Sequence, residues 1–491
     1  MSCLQTPNAA ARDTFAASPA RANRTNSINK RRTRVANKST AKRPAAHKKP
    51  GVKRTSLLAK STGVEVYSPG ALNSFFQALS KAEKKQKDGR VLITQFGDSH
   101  TAGDNVTNRM RKTLQARFGN AGRGFLLAGK PMRHYYQQGA RYGTRGRWVC
   151  ERGGRRKAAE PFGYAGVRVR SHRKNARVWV GTCKNCRQHR NVGQFEVFFG
   201  RSSNNGRVAY RVDTGRWRYF DTRKPRKDKT VSGYKVIKVP EGSHTLTLRA
   251  AGNGPVDLFG VALERKKPGV IVDALGRVGL MAQHLFKMDW QVIGEQLARR
   301  DPRLVVLQYG TNETYDDDLK IDKLEKMYVE LIQRIKKAVP KASILILGPP
   351  DVGMRELGRS CDRSRRQAKR RARRLRRKGR KAVRLAKTRT LRPGAPIVEG
   401  CQYRTPKVLP EIIAAQRRAA RTTKVAFFDS FAAMGGADMM ALFHQQEPAL
   451  AYRDHVHFTQ RGAQLWADVL LVQLMSSYDK WRRRHNRRAH K

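Results

Sequence analysis

The chain has 491 residues, of which 39% are hydrophobic, so it is long enough for two domains and can bury a core. It carries 104 Lys and Arg against 37 Asp and Glu, a formal charge of +67. No stretch approaches the ~18 apolar residues that a membrane-spanning helix needs, so integral membrane, collagen-like and wholly disordered classes are excluded.

The charge is concentrated in three runs. The first 60 residues hold 15 Lys and Arg and one acid, Asp13. Residues 363–392 hold 17 Lys and Arg and no acid, and residues 480–491 add 7 more. Like-charge blocks of this kind read as solvated tails or as segments that attract a polyanion. Composition leaves a cell-envelope polyanion, anionic lipid and nucleic acid all open as partners, because the attraction is Coulombic. The first 60 residues show no apolar segment of the secretory type, so the localisation is unknown from this end of the chain.

Val91–Phe96 is a short apolar run ending at Gly97, the pattern of a buried strand. Val106, Met110, Leu114 and Phe118 follow at helical spacing. Val270–Val272, Leu304–Leu307, Ser343–Gly348 and Val425–Asp429 repeat the strand signal, with helical periodicity between the later ones. Five such strands alternating with helices predict an α/β, flavodoxin-like, doubly wound parallel five-stranded sheet. From about Trp148 to Glu264 the period changes to two, with Gly and Asn clusters as turns. That pattern predicts an antiparallel β-sandwich inserted into the α/β part. The expected organisation is a basic tail over 1–65, an α/β domain in two parts over 66–147 and 265–478, the inserted sandwich over 148–264, an Arg-rich insert over 359–395, and a basic tail over 479–491.

Four segments carry side chains suited to acyl transfer. Gly97-Asp98-Ser99-His100 lies where a strand gives way to a helix, which exposes a Ser at the carboxyl edge of the sheet. Asp454-His455-Val456-His457 precedes the final helix, and an Asp three residues before a His can orient an imidazole acting as base. Tyr309-Gly310-Thr311-Asn312-Glu313 follows the third strand, where an amide can donate to a developing oxyanion. Gly276 and Gly279 follow the second strand; a backbone N–H from Gly279 can serve the same oxygen, and Gly276 reads as a turn. Taken singly, each segment is also readable as a helix cap or a turn.

In this order, the four segments resemble the blocks of the SGNH (GDSL-like) hydrolase superfamily. The resemblance implies Ser99 as nucleophile, His457 as general base, Asp454 as the group fixing the imidazole, and the Ser99 N–H, Gly279 and Asn312 as oxyanion donors. Asp98 would be structural, and Glu313 stands where many members have Asp. With a sandwich between the Ser and Gly blocks, and with Phe96-Gly-Asp-Ser-His-Thr-Ala-Gly-Asp104, the chain looks like bacterial peptidoglycan O-acetylesterases, whose inserted module is carbohydrate-binding-like. This implies removal of acetyl esters from an acetylated glycan through an acetyl-serine, with no metal or organic cofactor, in the periplasm or cell envelope. The same scaffold supports O-acetyltransferases, and a non-catalytic polyanion-binding protein is the alternative from another class. Trp148, Trp179, Trp217 and Tyr219 are candidates for stacking on sugar rings. Cys183-Lys-Asn-Cys186 with His189 supplies too few ligands at fixed spacing to establish zinc, and a disulfide or free thiols compete with it.

Overall fold

The computed structural model describes residues 63–154, 161–183, 186, 189–224, 230–355 and 403–489. The expected N-terminal tail, up to residue 62, and the Arg-rich insert lie outside the described residues.

A six-stranded sheet organises the α/β part. Its strands run in the spatial order Gly269–Gly276, Arg90–Gly97, Leu304–Gln308, Ser343–Leu347, Ala426–Phe428 and Val64–Val66. The first five are parallel; Val64–Val66 pairs antiparallel with Ala426–Phe428. The sheet thus has one strand more than the five expected. Val64 and Glu65, assigned from sequence to the tail, belong to this edge strand, which was missed because three residues are too few to show a period.

The parallel strands read as continuous apolar runs because both of their faces are covered. Side chains alternate between two layers. Val91, Ile93, Val270, Val272, Leu304 and Val306 pack with the helices Asn73–Glu83, Asn105–Phe118 and Gln460–Ala489. Phe96, Leu275, Val305, Leu307, Ile344 and Ile346 pack on the other side with Trp290–Arg300, Ile321–Ala338 and Val408–Thr422. Val106, Met110, Leu114 and Phe118 are all buried, as their spacing requires.

The period-two region forms two antiparallel sheets. One has the order Arg218–Asp221, Arg207–Val212, Thr245–Ala250, Arg177–Thr182, Ala140–Arg145. The other has the order Val231–Gly242, Val192–Arg201, Val256–Glu264, Val167–Ser171, Val149–Arg152, with Gly122–Leu126 also paired to Val256–Glu264. The antiparallel region therefore starts at Gly122, well before Trp148. The sequence boundary fell late because Gly122 and Gly124, both at positive φ, interrupt the alternation.

One further expectation is corrected. Residues 479–489 are not a separate tail: they continue the helix Gln460–Ala489, held by Trp481 Nε1 donating to Asn73 Oδ1 and by Arg482 on Glu83. Cys183 and Cys186 form a disulfide, which consumes the thiolates a zinc ion would need. Among the described residues no group of His, Cys, Asp and Glu is arranged to hold a metal ion, and no helix is long and apolar enough to cross a membrane.

Candidate active site

The order of the parallel strands reverses between Arg90–Gly97 and Leu304–Gln308, and open α/β sheets offer a crevice at the carboxyl ends of such strands. Ser99 lies beyond the first of these strands and Asn312 beyond the second. Gly97 ends its strand so closely against Thr101 that a Cβ would sit 2.2 Å from Thr101 Oγ1. Asp98 then caps the short helix Ser99–Ala102, its Oδ1 accepting from the His100 N–H at 2.9 Å. This turn holds Ser99, 4% exposed, at the helix start.

The loop ahead of the last helix brings Asp454 and His457 to Ser99. His457 Nε2 lies 2.8 Å from Ser99 Oγ, and His457 Nδ1 lies 2.7 Å from Asp454 Oδ2. Asp454 Oδ1 accepts from the backbone N–H groups of Val456 and His457, each at 3.0 Å. Burial alone would raise the Asp454 pKa. The His457 hydrogen bond and charge, with the two N–H groups, outweigh it and hold the carboxyl well below the usual range. Asp454 is thus a carboxylate at neutral pH, so the imidazole carries its proton on Nδ1 and presents a lone pair on Nε2 to the hydroxyl.

His100, which the sequence reading left without a role, supports this arrangement. Its ring stacks on His457 at 5.5 Å between centroids, and its Nε2 is 3.0 Å from the Val456 carbonyl. Phe458 and Trp466 pack edge-on around it. The helix bearing Ser99 and the loop bearing His457 are therefore joined by a contact besides the Ser–His bond. The only sequence signal for this was a His directly after the Ser.

The two loops from which oxyanion donors were expected are joined through Glu313. Its Oε1 accepts from the Ala282 N–H and its Oε2 from the Gly310 N–H, both at 2.9 Å. Asn312 Nδ2 donates to the Leu280 carbonyl at 3.0 Å, which engages one of the two amide hydrogens. Complete burial, opposed by the backbone N–H groups, pushes the Glu313 carboxyl up to about 7.

Gly279 has φ +72°, with no atom within 4 Å of a Cβ built there. Gly276 differs from its sequence reading as a turn. It ends the strand Gly269–Gly276, and a Cβ would meet the Ala102 N at 2.1 Å, so its role is close approach to the helix of Ser99. Arg277, buried between them, donates to the Gly153 and Gly166 carbonyls at 2.6 Å and ties this loop to the antiparallel region. A groove of about 510 Å³ adjoins Glu313, walled by Phe286, Leu319 and Met327 with Lys287, Lys320 and Asp316 at its rim.

Residues 241–465 match the GDSL-like Lipase/Acylhydrolase family. The α/β part of the chain has the SGNH, or GDSL-like, hydrolase fold. Among solved structures, the chain is similar to one described as a peptidoglycan O-acetylesterase in action, with 21% identity and a TM-score of 0.63 over 85% of this chain and 99% of that one. Looser matches are family two carbohydrate esterases. The Cellvibrio japonicus enzyme gives 9% identity and TM-score 0.24, over 69% of this chain and 99% of that one. A Clostridium thermocellum enzyme gives 14% and 0.23, over 67% and 98%. Their TM-scores are too low to bear on the fold. No curated protein matches the chain by sequence.

Proposed function

We propose that this protein is a serine esterase that removes O-acetyl groups from a polysaccharide, in the first instance peptidoglycan, through an acetyl-serine intermediate. The observation that carries the reading is the continuous chain from Asp454 Oδ2 to His457 Nδ1 and from His457 Nε2 to Ser99 Oγ, with links of 2.7 and 2.8 Å. A hydroxyl so placed can lose its proton to the imidazole as it attacks a carbonyl carbon.

In the first half-reaction Ser99 Oγ bonds to the acetyl carbon and its proton passes to His457 Nε2. The developing oxyanion is received by the Ser99 N–H, the Gly279 N–H and the remaining amide hydrogen of Asn312. Collapse breaks the bond to the sugar oxygen, which takes the proton from His457. Water then attacks the acetyl-serine with His457 again as base, and acetate leaves. Asp454 keeps the imidazole oriented and offsets its positive charge throughout.

The choice of peptidoglycan is supported by the similarity to the solved peptidoglycan O-acetylesterase, and the groove beside Glu313 offers room for a glycan chain. In this reading the α/β sheet with its antiparallel edge strand is the catalytic domain, a doubly wound flavodoxin-like core. The two antiparallel sheets are an inserted, carbohydrate-binding-like sandwich.

Ser99→Ala should lower hydrolysis of an aryl acetate by at least about a thousandfold while the melting temperature stays within a few degrees. Acetate release from O-acetylated peptidoglycan, measured beside O-acetylated xylan, checks the substrate. Undiminished aryl acetate hydrolysis by the Ala variant would defeat the mechanism, and release from xylan alone would defeat the choice of glycan.

A further inference from the structure

The outer face of the five-stranded antiparallel sheet has no role in the chemistry above. Its inner face carries Val178, Val180, Leu246 and Leu248 into the core. On the outer face the register sets Arg145 directly opposite Arg177, and Arg177 directly opposite Arg249, on three adjacent strands. Adjacent strands lie roughly 4.8 Å apart, and like charges directly opposite one another are destabilising. Arg211 sits on the next strand, one row away.

Among the described residues these cations are not neutralised: none of Arg145, Arg177, Arg211 and Arg249 has a carboxylate within salt-bridge distance. Arg211 Nε and Arg249 Nε are buried without a hydrogen-bond partner. Other arginines of the chain are paired, as with Arg111 and Arg123 on Asp104 and Arg417 on Glu65 and Asp429; what sets this face apart is the direct apposition of its cations on adjacent strands. The face is nonetheless ordered. The Trp217 ring lies 4.2 Å from the Arg249 guanidinium carbon, 4.9 Å from that of Arg211 and 5.7 Å from that of Arg177. One ring therefore gathers three guanidinium groups into a fixed array.

We propose that this face is a docking surface for a linear polysaccharide bearing closely repeated carboxylates. Guanidinium groups receive carboxylates through paired N–H donors, and a carboxylate seated between neighbouring arginines relieves their repulsion. A linear uronan carries a carboxylate on every ring, so more than one of them can reach the arginine array at once. Single-stranded nucleic acid fits less well. Its bases need open aromatic rings to stack on, whereas Trp217 is occupied by arginines and Tyr219 has Arg207 over it at 5.5 Å. The preference for a sugar polymer rests in part on the proposed function; the charge array does not.

The test uses the full chain with polygalacturonate as probe, neutral pullulan as control and an oligothymidylate of matched charge as competitor, at about 0.15 M salt. The triple variant Arg177→Lys/Arg211→Lys/Arg249→Lys keeps the net charge, so polyanion attraction by the basic segments is unchanged, but it loses the paired donors. It should bind polygalacturonate at least fivefold more weakly, with pullulan binding absent throughout. Unchanged affinity overturns the proposal. An oligothymidylate that binds more tightly than polygalacturonate, and loses more affinity in the variant, overturns the choice of polymer. Ser99-dependent aryl acetate hydrolysis in the same preparations should match the parent, which verifies folding and reports separately on the esterase reading. Should the triple variant not fold, the exposed Arg145→Lys carries the test, with an expected loss of about twofold and the same reading of no change.

Discussion

Glu313 is the residue whose chemistry reaches furthest beyond its own position. Its two oxygens each accept a backbone N–H, one from the loop after Gly279 and one from the loop before Asn312. Only the ionised carboxylate accepts at both oxygens without a competing proton, so the brace between the two loops tightens as pH rises through about 7. Glu313→Gln must turn an amide N–H toward one of those donors. We expect kcat for an aryl acetate to fall about tenfold with KM within twofold, and the rise in kcat near pH 7 to lose the part due to Glu313. An unchanged pH profile would falsify the bracing role. The effect on stability has the opposite sign. Because the folded-state pKa lies above the ordinary 4.5, the neutral carboxyl is favoured in the fold, and its contribution is complete below pH 4.5. That contribution, on the order of 3 kcal/mol, is lost as pH rises through about 7. Thermal melting followed from pH 4 to 8 should therefore show a decline that is flatter in Glu313→Gln. Asp454→Asn should leave the loop folded yet lower kcat by about a thousandfold or more, because an amide can present the imidazole in the wrong tautomer; single-turnover acetylation of Ser99 measures this directly.

At the level of elements, strand ends and the glycines in them decide how close the loops approach. Gly276→Ala would drive a methyl group into the Ala102 backbone at 2.1 Å, where nothing flexible can yield. We expect a loss of about 3 kcal/mol or more, or failure to accumulate folded protein, read by urea denaturation. Gly279→Ala meets open space and should cost only about 1 kcal/mol for its positive φ. The same contrast explains what was legible in the sequence. Buried parallel strands such as Val91–Phe96 and Leu304–Leu307 announce themselves as apolar runs, and Asp454 and His457 share a short loop whose spacing already implies contact. The Ser–His meeting across the sheet edge was inferable only through the order of the four blocks. What stayed hidden depends on tertiary neighbours: the packing role of Gly276, the bond from His100 to the Val456 carbonyl, the edge strand Val64–Val66, and the entry of Gly122–Leu126 into an antiparallel sheet. None of these leaves a period or a spacing in the chain.

For the whole molecule, the α/β and antiparallel regions share one buried cluster, in which Phe96 and Leu275 join Phe125, Phe198 and Val261. A buried charge group lies in the same junction. Arg300 Nε donates to Asp273 Oδ2 at 2.9 Å and Arg300 Nη1 donates to Glu264, while Phe125 N–H and Tyr164 OH also bond Asp273. Arg300→Met would leave Asp273 buried without a cation, while Glu264 keeps Arg90 at 2.8 Å, and should cost about 3 kcal/mol or more. Because the core is continuous, unfolding followed by far-ultraviolet dichroism and by tryptophan fluorescence should coincide in one transition; two separated transitions would show that the regions fold independently. A last consequence attaches to the short antiparallel pairing of Met354–Arg355 with Tyr403–Arg404. It clamps together the points at which residues 356–402 depart and return, and Gly353 N–H bonds the His455 carbonyl at 2.7 Å just beneath it. Once a loop is closed at its base, each doubling of its length costs only about 0.6 kcal/mol. The two short strands and the Gly353–His455 bond therefore fix positions 355 and 403 beside the Asp454–His457 turn, so a change in the length of the sequence between them should leave that turn in place.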